Sequence, residues 1–270
     1  MLKLAKDLIR RVSRSFGYDI VPLREMSQCE LAAHLGELFA EFDIDCVLDV
    51  GANVGQYRDF LRDRVFYGGL IVSFEPVSRN LDILRRRAAG DRHWVVEGYA
   101  LAADAGTRAI NVMAQTEYSS FLQPDYTKLP WDDRCSTVEA SETVTMKTLD
   151  EVLPSLERRL GFRSPYLKLD TQGYDLEVLR GGLQSLPRIC ALQTEASVIG
   201  IYHGMPGYLD AIRFLGEHAF DVTGFFPVQR DRRLRLIECD CVGVNRAIAQ
   251  RQANPAPMPR DGRVLVTAQL

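Results

Sequence analysis

Short apolar runs alternate with amphipathic segments along most of the chain. The runs that have the length and composition of buried strands lie at 46–50, 70–74, 93–97, 166–170 and 189–194. Segments with apolar residues at helical spacing lie at 27–42, 54–65, 78–89, 148–160, 175–186 and 206–218. Alternation of this kind predicts an α/β fold with a parallel sheet and helices on both faces. Two last runs, 220–228 and 236–244, are expected to close the sheet as an antiparallel pair.

The pattern changes between positions 107 and 147. Both ends of this region alternate like strands, and the polar, aromatic stretch between them is too long for an ordinary connection. We therefore expect a lid-like insertion at about 107–147 inside a domain that spans 46–250. A helical extension over 1–45 would precede that domain, and a tail over 251–270 would follow it.

Composition excludes several classes of protein. With 46% hydrophobic and 26% charged residues among 270, the chain has the composition of an ordinary globular protein. Its net charge of −3 gives no general attraction to nucleic acid. The six cysteines show no zinc-ligand pairing, so no metal site is expected. Without a signal peptide or an apolar stretch of membrane length, we expect a cytoplasmic protein with reduced thiols.

The first sixteen residues have a basic amphipathic pattern. Apolar residues recur there at roughly helical spacing, with lysines and arginines between them. One interpretation is a helix that docks its apolar stripe on the domain. The other is weak, reversible contact with a partner or with the anionic inner face of a membrane. The oligomeric state cannot be read from the chain.

The strongest chemical signal lies at the ends of two successive strands. The sequence LDVGANVG at 48–55 is a strand followed by a turn between Gly51 and Gly55, and glycines let a backbone approach a ligand closely. Glu75 ends the next strand, where a carboxylate can accept hydrogen bonds from both hydroxyls of a ribose. Both strand ends face one crevice in a doubly wound sheet. Since Asp49 suits a ligand with an amine and a sulfonium, the pair predicts S-adenosylmethionine.

Two alternatives to S-adenosylmethionine fit this pattern less well. A nicotinamide dinucleotide also requires an acid about 20 residues after its glycines, but its fingerprint needs a central glycine where this chain has Asn53. An empty strand-turn-helix corner is the other alternative.

Eight stretches of the chain resemble the FkbM family of S-adenosylmethionine-dependent methyltransferases. In the family order they are DVGANVGQY (49–57), FEPVSRNLDIL (74–84), YALAADAG (99–106), SSFL (119–122), TLDEVL (148–153), LKLDTQGYDLEVLRGG (167–182), LQTEAS (192–197) and IECDCVGVN (237–245). The resemblance implies the Rossmann-like, seven-stranded methyltransferase sheet with its last strand inserted antiparallel. It also implies methyl transfer to an oxygen, most often a hydroxyl of a sugar or of a secondary metabolite.

The resemblance further implies which residues bind the cofactor. Those expected around the methionine moiety are Asp49, Gly51, Asn53 and Gly55. Glu75 would hold the ribose, Pro76 and Asn80 would shape its turn, and Ala100 would lie beside the adenine. Gln172 departs from the pattern, because many relatives carry Glu there, which weakens the argument for a metal or a base at that position.

A hydroxyl acceptor needs its proton removed during methyl transfer, so the site requires a general base. Asp170 and Glu195, at the ends of the fourth and fifth strands, are the first candidates. Asp170 could instead orient the cofactor or a helix N-terminus, or pair with Lys168, and the two carboxylates could share a divalent ion. His203, in the loop after the fifth strand, is the third candidate, against the ordinary interpretation of a surface histidine.

The substrate ligands predicted from the aromatic and hydroxyl residues near the crevice are Ser119, Ser120 and Tyr202. Their alternative role is to pack and cap the insertion. Together these features predict an O-methyltransferase that acts on a hydroxyl of a sugar, glycan or glycolipid. The alternatives are methylation of a polyketide or other secondary metabolite, and a binding protein that kept the fold without the chemistry. No N-P-P-Y-like motif follows the fourth strand, so DNA and RNA are not expected acceptors.

Overall fold

A computed structural model describes residues 27–127 and 137–253, together with Val12. Except for Val12, the basic amphipathic pattern of residues 1–16 lies outside the described residues. So does the tail beyond residue 253. The predictions made for these two segments, including membrane contact, stay predictions.

Within residues 27–127 and 137–253, ten strands form two sheets. They are β1 (Cys46–Val50), β2 (Leu70–Phe74), β3 (Trp94–Glu97), β4 (Ala100–Leu101), β5 (Gly106–Met113), β6 (Val138–Lys147), β7 (Pro165–Leu169), β8 (Ala191–Ser197), β9 (Phe220–Arg230) and β10 (Leu236–Asn245). The main sheet has the order β3-β2-β1-β7-β8-β10-β9. Its first five strands are parallel, whereas β10 is antiparallel to both neighbours. This confirms the predicted methyltransferase sheet with its last strand inserted antiparallel.

Seven α-helices flank the strands in the part of the chain that the structure describes. They are α1 (Ser27–Glu41), α2 (Gln56–Phe60), α3 (Ser78–Ala88), α4 (Leu149–Leu160), α5 (Asp175–Arg180), α6 (Tyr208–Glu217) and α7 (Arg246–Ala253). Local chemistry explains where α4 begins and ends. Thr148 and Glu151 form a reciprocal capping box at its start, and Gly161 adopts a left-handed conformation after its end.

The alternating side chains of each central strand supply two cores, one on each face of the sheet. On β1, Leu48 and Val50 belong to the core that also contains residues of α4, α5 and α6, whereas Val47 belongs to the other. Leu35 and Phe39 of α1 are buried in that second core. Because they share a core with β1, α1 belongs to the same packed unit as the sheet, although the predicted boundary at 45/46 assigned it to a separate extension.

Both ends of the predicted lid-like region form strands, as their alternation predicted. β5 and β6 pair along their length and form a second sheet with β4, in the order β4-β6-β5. The irregular part of residues 107–147 is therefore only the stretch that joins β5 to β6, of which 128–136 lies outside the described residues.

The end of one strand differs from the pattern. β8 continues to Ser197 because it pairs with β10 as far as Glu238, so Glu195 lies inside the strand and not after it. α5 ends at Arg180, directly before the Gly181-Gly182 pair that interrupts its predicted segment of 175–186. The next residue is Gly181, where a Cβ would come within 2.0 Å of the Ala102 carbonyl oxygen. No helix in 27–127 or 137–253 is long and apolar enough to cross a membrane.

Candidate active site

A cleft of about 540 Å³, open mouth included, lies where β1, β2 and β7 end. Polar residues line one part of it, among them Asn53, Glu75, Asp170 and Gln172. Another part is apolar and is formed by Phe74, Val77, Ala100, Leu101 and Ile110. The cleft occupies the position at which doubly wound sheets bind their ligands, outside the carboxyl ends of the parallel strands.

The loop after β1 lies directly against the end of β7. Gly51 has a φ of 81°, and a Cβ at this position would come within 1.9 Å of the Asp170 carbonyl oxygen. Only glycine fits such an approach. Gly55, with a φ of 91°, has a different neighbour, because its Cβ would meet the Trp94 ring at 2.8 Å. Gly51 lines the cleft, whereas Gly55 packs on Trp94 away from the cleft walls.

Asn53 presents an unused donor at the cleft. Its backbone is left-handed, with a φ of 46°. Its main-chain N–H donates to Glu75 Oε2 at 2.8 Å, and its Oδ1 accepts from the Thr116 hydroxyl at 2.8 Å. Its Nδ2 is buried and has no hydrogen-bond partner among the described residues. A buried donor left unpaired costs about 1 to 3 kcal/mol, so an acceptor atom on a ligand would stabilise this site.

Glu75 is the second fixed polar group of the cleft. Its buried carboxylate accepts from the N–H groups of Asn53 and Val77, and Asn80 Nδ2 lies 3.5 Å behind it. Burial raises the pKa of Glu75 to about 7, and the two N–H groups act in the opposite direction. A carboxylate has about four acceptor positions, so lone pairs remain for ligand hydroxyls. Pro76 lines the cleft beside it.

Asp49 and Lys168 form a buried ionic layer below the cleft. Asp49 Oδ2 accepts from the Ser73 hydroxyl at 3.1 Å, and Ser73 in turn accepts from Trp94 Nε1. Lys168 Nζ lies 3.6 Å from Asp49 Oδ1, too far for a hydrogen bond, and 3.0 Å from Asp170 Oδ2. Burial acts to lower the pKa of Lys168. The carboxylates of Asp170 and Asp49 together have the larger effect, so the pKa of Lys168 is raised. Pairing of Lys168 with Asp170, one of the alternatives for this strand, is therefore present.

Asp170 and Glu195 meet across β7 and β8 through one amide group. Gln172 Nε2 lies 3.0 Å from Asp170 Oδ1 and 3.2 Å from Glu195 Oε2. The Tyr202 hydroxyl lies 3.0 Å from Gln172 Oε1. Burial and the neighbouring carboxylates of Asp170 and Glu238 raise the pKa of Glu195 well above its ordinary value. The structure thus brings together two of the three predicted base candidates.

Two further carboxylates, Glu238 and Asp240 on β10, lie near this pair. Asp240 is directly opposite Glu195 in the strand register. Burial raises the pKa of Glu238 to about 7 and that of Asp240 to about 6. Reasoning from sequence missed them, although acids alternate with cysteines in IECDC, which places both acids on one face of a strand. No three His, Cys, Asp or Glu side chains within the described ranges are arranged to hold a metal ion.

His203 lies apart from these carboxylates. Its side chain is 67% exposed, and its Nδ1 lies 3.9 Å from Asp125 Oδ2. It does not line the cleft. The structure therefore does not bring His203 to Asp170 and Glu195, because its loop pairs with the segment at Gln123 instead.

The three predicted substrate ligands surround Gln172 or line the cleft. Ser119 lines the cleft, and its hydroxyl accepts from the Met113 N–H at 3.2 Å. Ser120 is buried and donates to the Gln172 carbonyl oxygen at 2.8 Å. Tyr202 is also buried, with its hydroxyl near both Gln172 and the Tyr118 carbonyl oxygen. All three thus make contacts inside the protein, and their role toward a substrate stays a prediction.

Comparison with known proteins places the chain in a family. Residues 49–222 match the model of the methyltransferase FkbM domain. Among curated proteins none matches the sequence. A similar solved structure is the methyltransferase FkbM from Methylobacillus flagellatus KT, at 16% identity over 74% of this chain and a TM-score of 0.47. This chain spans only 44% of that protein's length.

Two other solved structures with similarity were determined with S-adenosylmethionine bound. Magnesium protoporphyrin IX methyltransferase from Synechocystis PCC 6803 has 11% identity over 90% of this chain and 96% of its own, with a TM-score of 0.44. Aeropyrum pernix fibrillarin has 10% identity over 74% of this chain and 66% of its own, with a TM-score of 0.40. Because the identities and TM-scores of these three structures are low, the family assignment rests on the domain match alone. Because that match covers more than half of the chain, the protein belongs to the FkbM family of methyltransferases.

Proposed function

We propose that this methyltransferase methylates a hydroxyl group of a sugar, glycan or glycolipid. The observation that carries the proposal is the Asp170 carboxylate. It lines the cleft, its side chain is 35% exposed, and its two oxygens are held by Lys168 and Gln172. A carboxylate fixed in this way at a reaction site can accept the proton that a hydroxyl must lose.

The residues of the cleft fit S-adenosylmethionine, which we propose as the methyl donor. Glu75 would accept hydrogen bonds from the ribose hydroxyls, and the unpaired Nδ2 of Asn53 would donate to the methionine part. Ala100, Leu101 and Val77 would contact the adenine ring. When bound, the cofactor supplies a methyl group that is already activated by its sulfonium. The protein's own contribution is then largely the placement of the acceptor oxygen and the removal of its proton.

Charge at the end of the sheet supports a neutral acceptor. Asp170, Glu195, Glu238 and Asp240 come together at β7, β8 and β10, and Lys168 is the one cation that contacts this group within the described part of the chain. A group of acids with a single cation offers no attraction to a phosphate backbone. Asp170, the member of the group that lines the cleft, can accept a hydrogen bond from a sugar hydroxyl.

Calorimetric titration with S-adenosylhomocysteine, with NAD as control, tests the cofactor site first. Transfer of a labelled methyl group to a panel of neutral sugars, lipid-linked sugars, polyketide alcohols and RNA then tests the acceptor class. Label in sugars would support the proposal, whereas label in polyketide alcohols or RNA alone would overturn it. Asp170→Asn should abolish most of the transfer and leave the affinity for S-adenosylhomocysteine within about threefold. Equal losses in both would make Asp170 a cofactor ligand.

A further inference from the structure

One side-chain amide connects the two carboxyl groups of the proposed reaction site. Gln172 is 8% exposed, and its Nε2 is within hydrogen-bond distance of both Asp170 Oδ1 and Glu195 Oε2. An amide nitrogen carries two N–H groups, so each carboxyl group can accept one of them. We call Gln172, Asp170, Glu195 and Tyr202 the carboxylate clamp.

The direction of the Gln172 amide is fixed by its neighbours. A reversed amide would place Oε1 against Asp170 and Glu195, which are acceptors when ionised. In the observed direction Oε1 faces the Tyr202 hydroxyl at 3.0 Å, and that hydroxyl, which has one hydrogen, also lies 2.8 Å from the Tyr118 carbonyl oxygen. The main chain is held as well, because Gln172 has a φ of 53° and its carbonyl oxygen accepts from Ser120 Oγ at 2.8 Å. The amide is therefore held at both ends.

The two carboxyl groups in the clamp have unequal surroundings. Lys168 Nζ contacts Asp170 at 3.0 Å, whereas the Glu195 side chain has Gln172 as its hydrogen-bond partner among the described residues. Glu195 also has Asp170, Glu238, Asp175 and Asp240 as acidic neighbours. Without the Gln172 amide, no hydrogen-bond donor would lie between the carboxyl groups of Asp170 and Glu195.

We propose that Gln172 is a positioning residue for methyl transfer, whose amide separates Asp170 from Glu195 and so keeps Asp170 available to accept the proton of the acceptor hydroxyl. This inference rests on the proposed function. It explains why an uncharged amide lies at the centre of a group of carboxylates. It also assigns Tyr202 the task of orienting that amide.

The test is the nearly isosteric substitution Gln172→Glu, which replaces the amide by a third carboxyl group. Turnover at pH 7 should fall about tenfold or more, and the acid limb of the pH–rate profile should move to higher pH, because a like charge raises the pKa of a base. Affinity for S-adenosylhomocysteine should stay within about threefold. The double variant Gln172→Glu/Glu195→Gln, which again has one amide and two carboxyl groups, should recover part of the turnover. Gln123→Glu, the same change at an exposed position beside Asn111, is the matched control.

Tyr202→Phe is the milder variant, in case Gln172→Glu does not fold. It should lower turnover about three- to tenfold with little change in cofactor affinity, since one hydrogen bond is worth about 1 kcal/mol. A second measurement needs no acceptor: the free energy of unfolding of Gln172→Glu should fall more steeply than that of wild type between pH 5 and pH 8. The inference would be overturned if Gln172→Glu changed neither the pH–rate profile nor the pH dependence of the free energy of unfolding. It would also be overturned if Gln172→Glu and Gln123→Glu had equal effects on turnover. Failure of the wild type to bind S-adenosylhomocysteine would instead overturn the proposed function.

Discussion

Lys168 shows how one buried residue can hold the proposed reaction site together. Its ammonium lies between the carboxylates of Asp49 and Asp170 and above the ring of Tyr57, and its side chain is 6% exposed. Removing one partner of a buried ionic group leaves the other charges without compensation. The residue therefore stabilises the protein mainly by neutralising the carboxylates that the proposed chemistry needs.

Lys168→Met should lower the free energy of unfolding by about 3 to 5 kcal/mol, because it leaves the buried Asp49 and the half-buried Asp170 without their cation. Urea unfolding at pH 7.5 measures the change. Lys147→Met is the control, since Lys147 lies over the Tyr99 ring and should cost about 1 kcal/mol or less. If Lys168→Met lowered the free energy of unfolding by less than about 1 kcal/mol, water or a rearrangement of the site would be stabilising the two carboxylates in place of Lys168.

Glu75→Ala should weaken the binding of S-adenosylhomocysteine about 10- to 100-fold. The change removes acceptors for the ribose hydroxyls and frees the N–H groups of Asn53 and Val77, and a hydrogen bond to a charged group contributes about 1.5 to 3 kcal/mol. Titration calorimetry measures the affinity. Glu177→Ala, at a surface position of α5 paired with Arg180, is the control. Unchanged affinity in Glu75→Ala would contradict the ribose assignment.

At the scale of elements, the site depends on how closely the loop after β1 meets the end of β7. The two strands pair in parallel along their length, and the Asp170 N–H continues the ladder by donating to the Val50 carbonyl oxygen at 3.1 Å. Gly51 then turns the chain over the Asp170 carbonyl. The cofactor loop and the proposed base are therefore positioned by the same contact.

Gly51→Ala should destabilise the protein by more than about 2 kcal/mol and abolish measurable binding of S-adenosylhomocysteine. The new Cβ would collide with the Asp170 carbonyl oxygen, and the φ of 81° is unfavourable for alanine. Gly36→Ala in α1 is the matched control, because nothing lies within 4 Å of its Cβ position. That variant should gain up to about 1 kcal/mol from helix propensity. Chemical denaturation and calorimetry on both variants measure the contrast, and similar behaviour of the two would contradict this account of the loop.

Several buried carboxyl groups in the described part of the chain have raised pKa values. Glu75 and Glu238 reach about 7 and Asp240 about 6, in each case mainly through burial. A folded protein that binds protons more tightly than its unfolded chain loses stability as the pH rises. The stability that these groups contribute is present in full below about pH 4 and is lost as the pH approaches 7. The lowered pKa of His34 acts in the opposite direction, but it is a single group.

The free energy of unfolding should therefore fall by about 3 kcal/mol or more between pH 5 and pH 8, given 1.36 kcal/mol for each unit of pKa difference. Urea unfolding at several pH values measures this slope. Glu238→Gln, which removes one of the titrating groups without changing its size, should flatten it. Stability that rises over the same interval would contradict the assignment of buried, proton-binding carboxyl groups.

Much of the fold and part of the site followed from local sequence pattern. Apolar runs bounded by glycines and acids predicted β1, β2 and β7, and LDVGANVG with Glu75 predicted where the cofactor cleft would lie. The strand predictions succeeded, and a cleft lies at the predicted turn, because strand ends and tight turns depend on neighbouring residues. The predicted length of β8 was wrong, because it depends on pairing with β10.

The sequence by itself determined the alternation of strands and helices, the glycine turn at Gly51, the acid at Glu75 and the family. Only the tertiary structure decided that Gln172 lies between Asp170 and Glu195, that Glu238 and Asp240 join them, and that His203 faces Asp125 instead. The physical reason is that local periodicity fixes which face a side chain occupies, but the strand order and register fix its neighbours. Insertion of β10 between β8 and β9 is such a long-range choice, and it brings β10's acids beside the proposed reaction site.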